Sequence, residues 1–425
     1  GEVEIPGDKS ISHRSVMFAG LGNTPVHIRH FLHAADCLST VGVMRALGVD
    51  VEFLNENELI VTGKGLHGLT EPMTVLDAGN SGTTLRLMMG LLAPQPFLST
   101  FCGDASLTRR PMARVLLPLS QMGAKIYGRN ANKNLPLTIV PTAEKLRGIR
   151  YESPVASAQV KSAILLAGLY ADAPTTVTEP YVSRDHTEQM LAGFGVHLER
   201  TGTSVTVFPV EEGSYRAPDE ITVPGDISSA AYFLVAGTII EVSRLLLKNV
   251  GINPTRTGIL DVLTEMGADI RLQNERTSGG ERMADIIVAS ASLRGISFGA
   301  EIMPRLIDEI PVIAVAALFA EGDTVITGAG ELRVKETDRL HAIAEEFQKL
   351  APGSVEEQED GLIIHGKTEI RQAQVSSWGD HRMAMSLAVL GAAAEGVRLE
   401  EPDSVNISYP RFFSEMECLS KGGSL

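Results

Sequence analysis

Asp308 and Glu336 are the two acids whose type and setting best suit proton transfer in this 425-residue chain. Asp308 lies in RLIDEIPVIAVAAL, at the mouth of an apolar helix, and Glu336 lies in VKETDR, flanked by Lys335 and Arg339. Burial raises a carboxyl pKa and neighbouring cations lower it, so carboxyls in such unlike settings can divide the roles of base and acid. The plain structural alternative is a pair of salt bridges, Asp308 to Arg305 and Glu336 to Arg339. Other short motifs carry groups suited to anions. Lys9, Ser10 and Arg14 in GDKSISHR bring two cations and a hydroxyl to one helix start. In GNSGTTLRL, Gly79 and Gly82 let a ligand approach the backbone while Asn80 and Thr83 offer hydrogen bonds. Ser157 and Gln159 in ASAQ supply neutral donors suited to a phosphate or a hydroxylated ring, and GDHR carries His381 and Arg382.

These groups need elements to position them, and the chain supplies the elements at near-constant intervals. GDKS at Lys9, GNSG at Ser81, ASAQ at Ser157, GDIS at Ile227, IDEIP at Asp308 and GDHR at His381 are separated by 72, 76, 70, 81 and 73 residues. Each runs into an apolar helix rich in small residues. Such a start directs backbone N–H groups and a partial positive charge outward, an anion site repeated along the chain. Repeats of this length exceed common solenoid periods, so each is expected to be a small βα assembly. A second series supports the first: the glycines of ALGVDV, QMGAKI, GFGVHL and EMGADI, at 48, 123, 195 and 267, read as helix C-termini. Hairpin-like pairs follow them, so the unit reads strand, buried helix, strand, amphipathic helix, two strands. Loops before the amphipathic helices add Arg110, Arg184, Arg256, Lys335 and Arg411. IPGDKSISHR at Ile5 matches VPGDISSAAY at Val223, which predicts duplication of a three-unit domain. The fold class is therefore α/β, with two similar domains of three βαβαββ units, one over 8–224 and the other over 1–7 plus 225–425. The chain is expected to cross near 7 and 225, with an anion-binding cleft between the domains that closes over its ligands.

Composition narrows the function. Charged residues make up 21% and hydrophobic residues 44%, a globular composition, and the net charge of −15 argues against general nucleic-acid or membrane-surface binding. Three separated cysteines, Cys37, Cys102 and Cys418, make a disulfide framework or zinc site a poor expectation and point to a reducing compartment. The apolar stretches 310–320 and 383–394 fall short of a membrane span and read as core helices. The chain begins at Gly1 without a signal-like segment, which leaves a removed leader open. GKGLHG at 63–68 matches GxGxxG but precedes no convincing helix, and His27, His30 and His33 lack a nearby carboxylate set. No Walker-type phosphate loop occurs.

Taken together, GDKSISHR, GNSGTTLR, SLTRRPM, SPVASAQVKSA, RLIDEIP, VKETDR and GDHRMAM resemble the 5-enolpyruvylshikimate-3-phosphate synthase family, in order from Gly7 to Met385. The resemblance implies transfer of the enolpyruvyl group of phosphoenolpyruvate to the 5-hydroxyl of shikimate 3-phosphate, through a tetrahedral intermediate and without metal or cofactor. It implies that Lys9, Gly82, Arg110, Gln159, Arg339 and Arg382 bind phosphoenolpyruvate. It implies that Lys9, Ser10, Arg14, Ser157, Gln159, Arg184, Asp308 and Lys335 bind shikimate 3-phosphate. Asp308, Glu336 and Lys9 would be catalytic, and His381 would line the site. A cytoplasmic monomer acting on small molecules is expected. Ile407 departs from the family pattern, where a lysine near the C-terminus contacts phosphoenolpyruvate. Glyphosate occupies the phosphoenolpyruvate site in this family, and Gly82 leaves room for it, so sensitivity is expected. The sister transferase acting on UDP-N-acetylglucosamine is disfavoured by Ala105, which stands where its loop cysteine is typical. A non-catalytic anion-binding relative is disfavoured by the intact pair Asp308 and Glu336.

Overall fold

Each of the six motifs opens a helix: Lys9–Ala19, Gly82–Leu92, Ala158–Gly168, Ile227–Ile239, Ile310–Phe319 and His381–Ala393. The computed structural model describes residues 1–211, 213–394 and 396–420, apart from the side chains of residues 406, 407 and 420. Five of the starts cap themselves. Asp8 accepts from the Ile11 amide at 2.9 Å, Ser81 from Thr84 at 3.1 Å, Ser157 from Val160 at 3.4 Å, Asp226 from Ser228 at 2.9 Å and Asp380 from Arg382 at 2.8 Å. Each such cap stabilises its helix by about 1 kcal/mol. The sixth helix follows a 3₁₀ turn, Ile307–Glu309, and has Pro311 in its first turn, where no backbone donor is needed. Self-capping modifies the expectation of open anion sites. One amide of each capped start is already taken, and at Asp8, Asp226 and Asp380 the cap is an acid that offsets the helix dipole.

The amphipathic helices alternate with these, and the glycines that end four of them are left-handed: Gly48, Gly123, Gly195 and Gly267 have φ of 88°, 100°, 81° and 103°. A side chain there would be strained, which explains their recurrence. Among the described residues the strands gather into five four-stranded sheets and one two-stranded sheet, Ala373–Ser376 beside Val397–Glu400. In a typical sheet one strand pairs in parallel and the rest form a hairpin. Thr175–Thr178, for example, runs parallel to Arg150–Glu152 and antiparallel to Ser204–Val207. The first repeat takes its parallel strand from far along the chain, since Glu220–Thr222 pairs with His27–Arg29. Glu2–Glu4 pairs with Leu246–Lys248 instead.

The chain divides into two compact units. One, the Lys9 unit, comprises Gly7–Pro224 and Thr277–Glu281; the other, the Asp308 unit, comprises Gly1–Pro6, Gly225–Arg276 and the chain from Arg282 on. Thr277–Glu281 is the tip of a long hairpin whose strands, Asp269–Ser278 and Glu281–Ala289, lie mainly in the Asp308 unit. In the Lys9 unit the helices Gly82–Leu92 and Ala158–Gly168 pack closely, and a Cβ at Gly90 would lie 2.2 Å from the Ala163 carbonyl oxygen. In the Asp308 unit the helix Ile310–Phe319 is buried along nearly its whole length, as its unbroken apolar sequence requires. Among the described residues no helix is long and apolar enough to cross a membrane.

Candidate active site

In the Asp308 unit an arginine organises the acids. Arg339 is 1% exposed and opens the helix Arg339–Leu350, which Asp338 caps by accepting from the His341 amide. Its Nε donates to Asp380 Oδ2 at 2.7 Å, its Nη2 to Glu336 Oε2 at 2.7 Å, and its Nη1 lies 3.5 Å from Asp308 Oδ1. Asp308 also has Lys335 Nζ at 3.9 Å and Arg382 Nη2 at 3.8 Å. The structure thus brings Asp308, Lys335, Glu336, Arg339 and Arg382 into one cluster. Burial pushes the Asp380 carboxyl upward, but Arg339 more than offsets it and holds the group below its ordinary range. Burial works against the Arg382 charge, yet Asp308 and other acids raise its pKa above the usual value. His381 is pushed down to about 4, first by burial and then by Arg382, so its imidazole is neutral at physiological pH. Glu336 is half exposed while Asp308 is mostly covered, with side-chain exposures of 54% and 14%. The two acids therefore differ in setting as their sequence contexts predict.

The start at Ile227 carries no cation in its own motif, and a neighbouring segment supplies one. Arg256, buried before the helix Gly258–Met266, donates from Nη2 to Ser228 Oγ at 2.7 Å and to Asp226 Oδ1 at 3.2 Å. Ser228 in turn donates to Glu309, whose carboxyl burial pushes above its ordinary range.

In the Lys9 unit the cations rest mainly on neutral groups. Arg110 donates from Nη2 to Asn80 Oδ1 at 2.8 Å and to Ser106 Oγ at 3.2 Å. Arg86 donates to Gln159 Oε1, and Gln159 Nε2 donates to Thr83 Oγ1 at 3.0 Å, so the two starts at Ser81 and Ser157 are joined. Burial, then Arg110, pulls Arg86 down to about 10, which leaves it charged at neutral pH. A Cβ at Gly82 would lie 2.7 Å from Arg86 Nη1 and 3.6 Å from Arg110 Nη1, so the missing side chain leaves the space between two guanidinium groups and the backbone. Arg14 is buried and held by Thr187 Oγ1 at 2.7 Å, Ser162 Oγ at 3.0 Å and the Ser10 carbonyl at 2.9 Å. Lys9 stands apart: half exposed, it pairs with Asp36 at 3.0 Å. Arg184 is half-buried just before the helix His186–Gly193. Ser157 donates its amide to Glu179, which shares the buried Lys161 with Glu188; both ion pairs measure 2.9 Å.

Several groups in these clusters escape sequence reasoning. Arg86 lies four residues beyond Gly82, hence on the same helix face, and that spacing could have found it. Asp380 was legible as the acid of GDHR, although its role as an anchor for Arg339 required the fold. Lys161, Glu179 and Glu188 gave no signal, because nothing local marks a charged residue as buried. Among the described residues no group of three or more His, Cys, Asp or Glu could hold a metal ion. The side chain of Ile407 lies outside the described residues.

The comparisons with known proteins place the chain in the class of enolpyruvyl (carboxyvinyl) transferases. The family model described as EPSP synthase (3-phosphoshikimate 1-carboxyvinyltransferase) matches residues 1–416, and the chain belongs to that family. A 3-phosphoshikimate 1-carboxyvinyltransferase of Bacillus thuringiensis (strain Al Hakam) is 52% identical over 99% of this chain and 97% of its own length. The solved EPSP synthase of Acinetobacter baumannii superposes with a TM-score of 0.92 at 42% identity, covering 99% of this chain and 95% of that one. The enolpyruvyl transferase NikO of Streptomyces tendae shares the fold, with a TM-score of 0.76 at 18% identity.

Proposed function

We propose that this chain transfers the enolpyruvyl group of phosphoenolpyruvate to the 5-hydroxyl of shikimate 3-phosphate and releases inorganic phosphate. The family and its named relatives favour this over the UDP-sugar reaction. The observation that carries the mechanism is the sharing of Arg339 by Asp308 and Glu336. In the addition step Asp308 takes the proton of the attacking 5-hydroxyl, whose oxygen bonds to C2 of phosphoenolpyruvate. Glu336 delivers a proton to C3, and the developing positive charge at C2 is stabilised by the adjacent carboxylates. In the elimination step a C3 proton returns to Glu336, the double bond re-forms, and the C–O bond to phosphate breaks as the leaving phosphate takes the proton held by Asp308, which restores both acids to their starting states.

In this reading Lys9, Gly82, Arg110, Gln159, Arg339 and Arg382 hold phosphoenolpyruvate, and Lys9 assists proton traffic. Lys9, Ser10, Arg14, Ser157, Gln159, Arg184, Asp308 and Lys335 hold shikimate 3-phosphate. Placing two polyanions in contact requires fixed positive charge, and these residues supply it in a preorganised form. The same reading has the enzyme working as a cytoplasmic monomer on soluble metabolites without a cofactor, with free thiols at Cys37, Cys102 and Cys418 in keeping with a reducing compartment.

Phosphate release dependent on shikimate 3-phosphate tests the reaction itself. Asp308→Ala and Glu336→Gln should each lower kcat by roughly a hundred- to ten-thousandfold, the usual contribution of a positioned acid or base, while shikimate 3-phosphate still binds. Full turnover in either variant would remove that residue from the proton-transfer scheme.

A further inference from the structure

The hairpin tip Thr277–Glu281 is packed into the Lys9 unit with little play. A Cβ at Gly280 would lie 2.1 Å from the Gln189 carbonyl oxygen, and one at Gly193 would lie 2.9 Å from the Gly279 carbonyl carbon. Ser278 Oγ accepts from the Thr222 amide at 2.7 Å. The tip delivers a single acid to the interior: Glu281, 1% exposed, lies with Oε1 2.8 Å from Nδ1 of the equally buried His186. A carboxylate only accepts, so the imidazole carries its proton on Nδ1.

His186 is the first residue of the helix His186–Gly193, and the residues beside it serve the acceptor cluster. Thr187 Oγ1 receives Arg14 Nε at 2.7 Å and shares a hydrogen bond of 2.6 Å with Ser162 Oγ, which also receives Arg14 Nη2. Glu188 pairs with Lys161, and Lys161 with Glu179, the acceptor for the Ser157 amide. Burial holds the Glu188 carboxyl above its ordinary range even though Lys161 pulls it down. Arg184 lies two residues before His186. Four groups assigned to shikimate 3-phosphate, namely Ser10, Arg14, Ser157 and Arg184, therefore depend for their placement on how this one helix start is seated.

We propose that Glu281 is a positioning residue for the acceptor phosphate: through His186 it fixes the helix start that orients Arg14 and Arg184. The inference rests on the functional reading above. A buried hydrogen bond between Glu281 and His186 sets the rotation of the helix start, and binding groups misplaced by a fraction of an ångström lose much of their effect.

Steady-state kinetics with each substrate varied in turn test the assignment. Glu281→Gln keeps the volume and removes the charge; it should raise KM for shikimate 3-phosphate about tenfold, with kcat and KM for phosphoenolpyruvate within about twofold of the wild type. His186→Gln should do the same, and the double variant should lose no more than the worse single one. Should Glu281→Gln fail to accumulate as folded protein, His186→Gln carries the same KM prediction alone. An unchanged KM for shikimate 3-phosphate, an equal rise for both substrates, or additive losses would overturn the proposal while leaving the reaction intact. Absence of shikimate 3-phosphate turnover in the wild type would instead overturn the functional reading beneath it.

Discussion

Arg110 and Arg339 are both guanidinium groups assigned to phosphoenolpyruvate, and their surroundings are opposite. Arg110 is half-buried and donates to an amide, a hydroxyl and the Asn80 carbonyl, while Arg339 is buried against Asp380, Glu336 and Asp308. The contrast extends to the rest of each cluster. Arg86 and Arg14 rest on Gln159, hydroxyls and a carbonyl, whereas Arg382 and Lys335 lie beside Asp308. A cation held by neutral groups keeps its field for an incoming anion. One held by carboxylates is largely neutralised before any ligand arrives, and its value lies in fixing those carboxylates. In the proposed mechanism the Lys9 unit would thus attract charge, and the Asp308 unit would hold its acids at set positions. Lys9 and Lys161 are exceptions: Lys9 pairs with Asp36 at the surface, where such a pair is weak, and Lys161 is buried between Glu179 and Glu188.

The comparison breaks most directly through stability. Arg339→Ala leaves Asp380, which is fully buried, without its cation, and it should cost about 3–5 kcal/mol in urea unfolding. Arg110→Ala strands no buried acid, so its stability should stay within about 0.5 kcal/mol of wild type while KM for phosphoenolpyruvate rises. Equal destabilisation by the two substitutions would show that both arginines are structural anchors.

How much of this was legible follows from which features are local. The helix starts, the glycines at helix ends and the acids of VKETDR and RLIDEIP could be read because caps, left-handed turns and charge runs are encoded within a few residues. The seating of Glu281 beside His186 could not, since 95 positions separate them and the stretch TSGGE reads as a surface turn. The partner of the Ile227 start escaped for the same reason: Arg256 lies one loop away, and its motif, INPTRTG, says only that a helix follows. Self-capping by Asp8, Asp226 and Asp380 was present in the GD pairs. Its meaning, that an acid offsets the dipole before a ligand does, emerged only with the hydrogen bonds.

The neutral character of the Lys9 unit reaches its interior at His13. The ring is fully buried with Nδ1 2.6 Å from Thr40 Oγ1, and Thr40 continues through Thr84 to Ser81, the cap of the Gly82 helix. Burial, then the Lys9 charge, pushes His13 down to about 3 from an ordinary 6.5. Between these values the unfolded chain binds a proton that the folded protein does not, so stability falls as pH drops below 6.5. At pH 5 the loss from this residue should be about 2 kcal/mol. His13→Asn places an amide nitrogen near Nδ1 and cannot titrate, so its unfolding free energy should decline less than the wild type's between pH 7 and pH 5. Matching declines would mean that the imidazole is charged in the fold, and that the unit is less neutral than its contacts indicate.

The smallest effect concerns the space at Gly82. A methyl group there would meet Arg86 Nη1 at 2.7 Å, and the guanidinium, tied to Gln159, has to move. Gly82→Ala should therefore raise KM for phosphoenolpyruvate about tenfold by disturbing Arg86 as well as by filling the approach to the backbone. The two causes separate in an Arg86→Lys background, where the colliding nitrogen is gone: the added alanine should then cost only about twofold. An undiminished cost would assign the whole effect to the methyl group and the ligand, and would make Arg86 a bystander among the neutral-held cations.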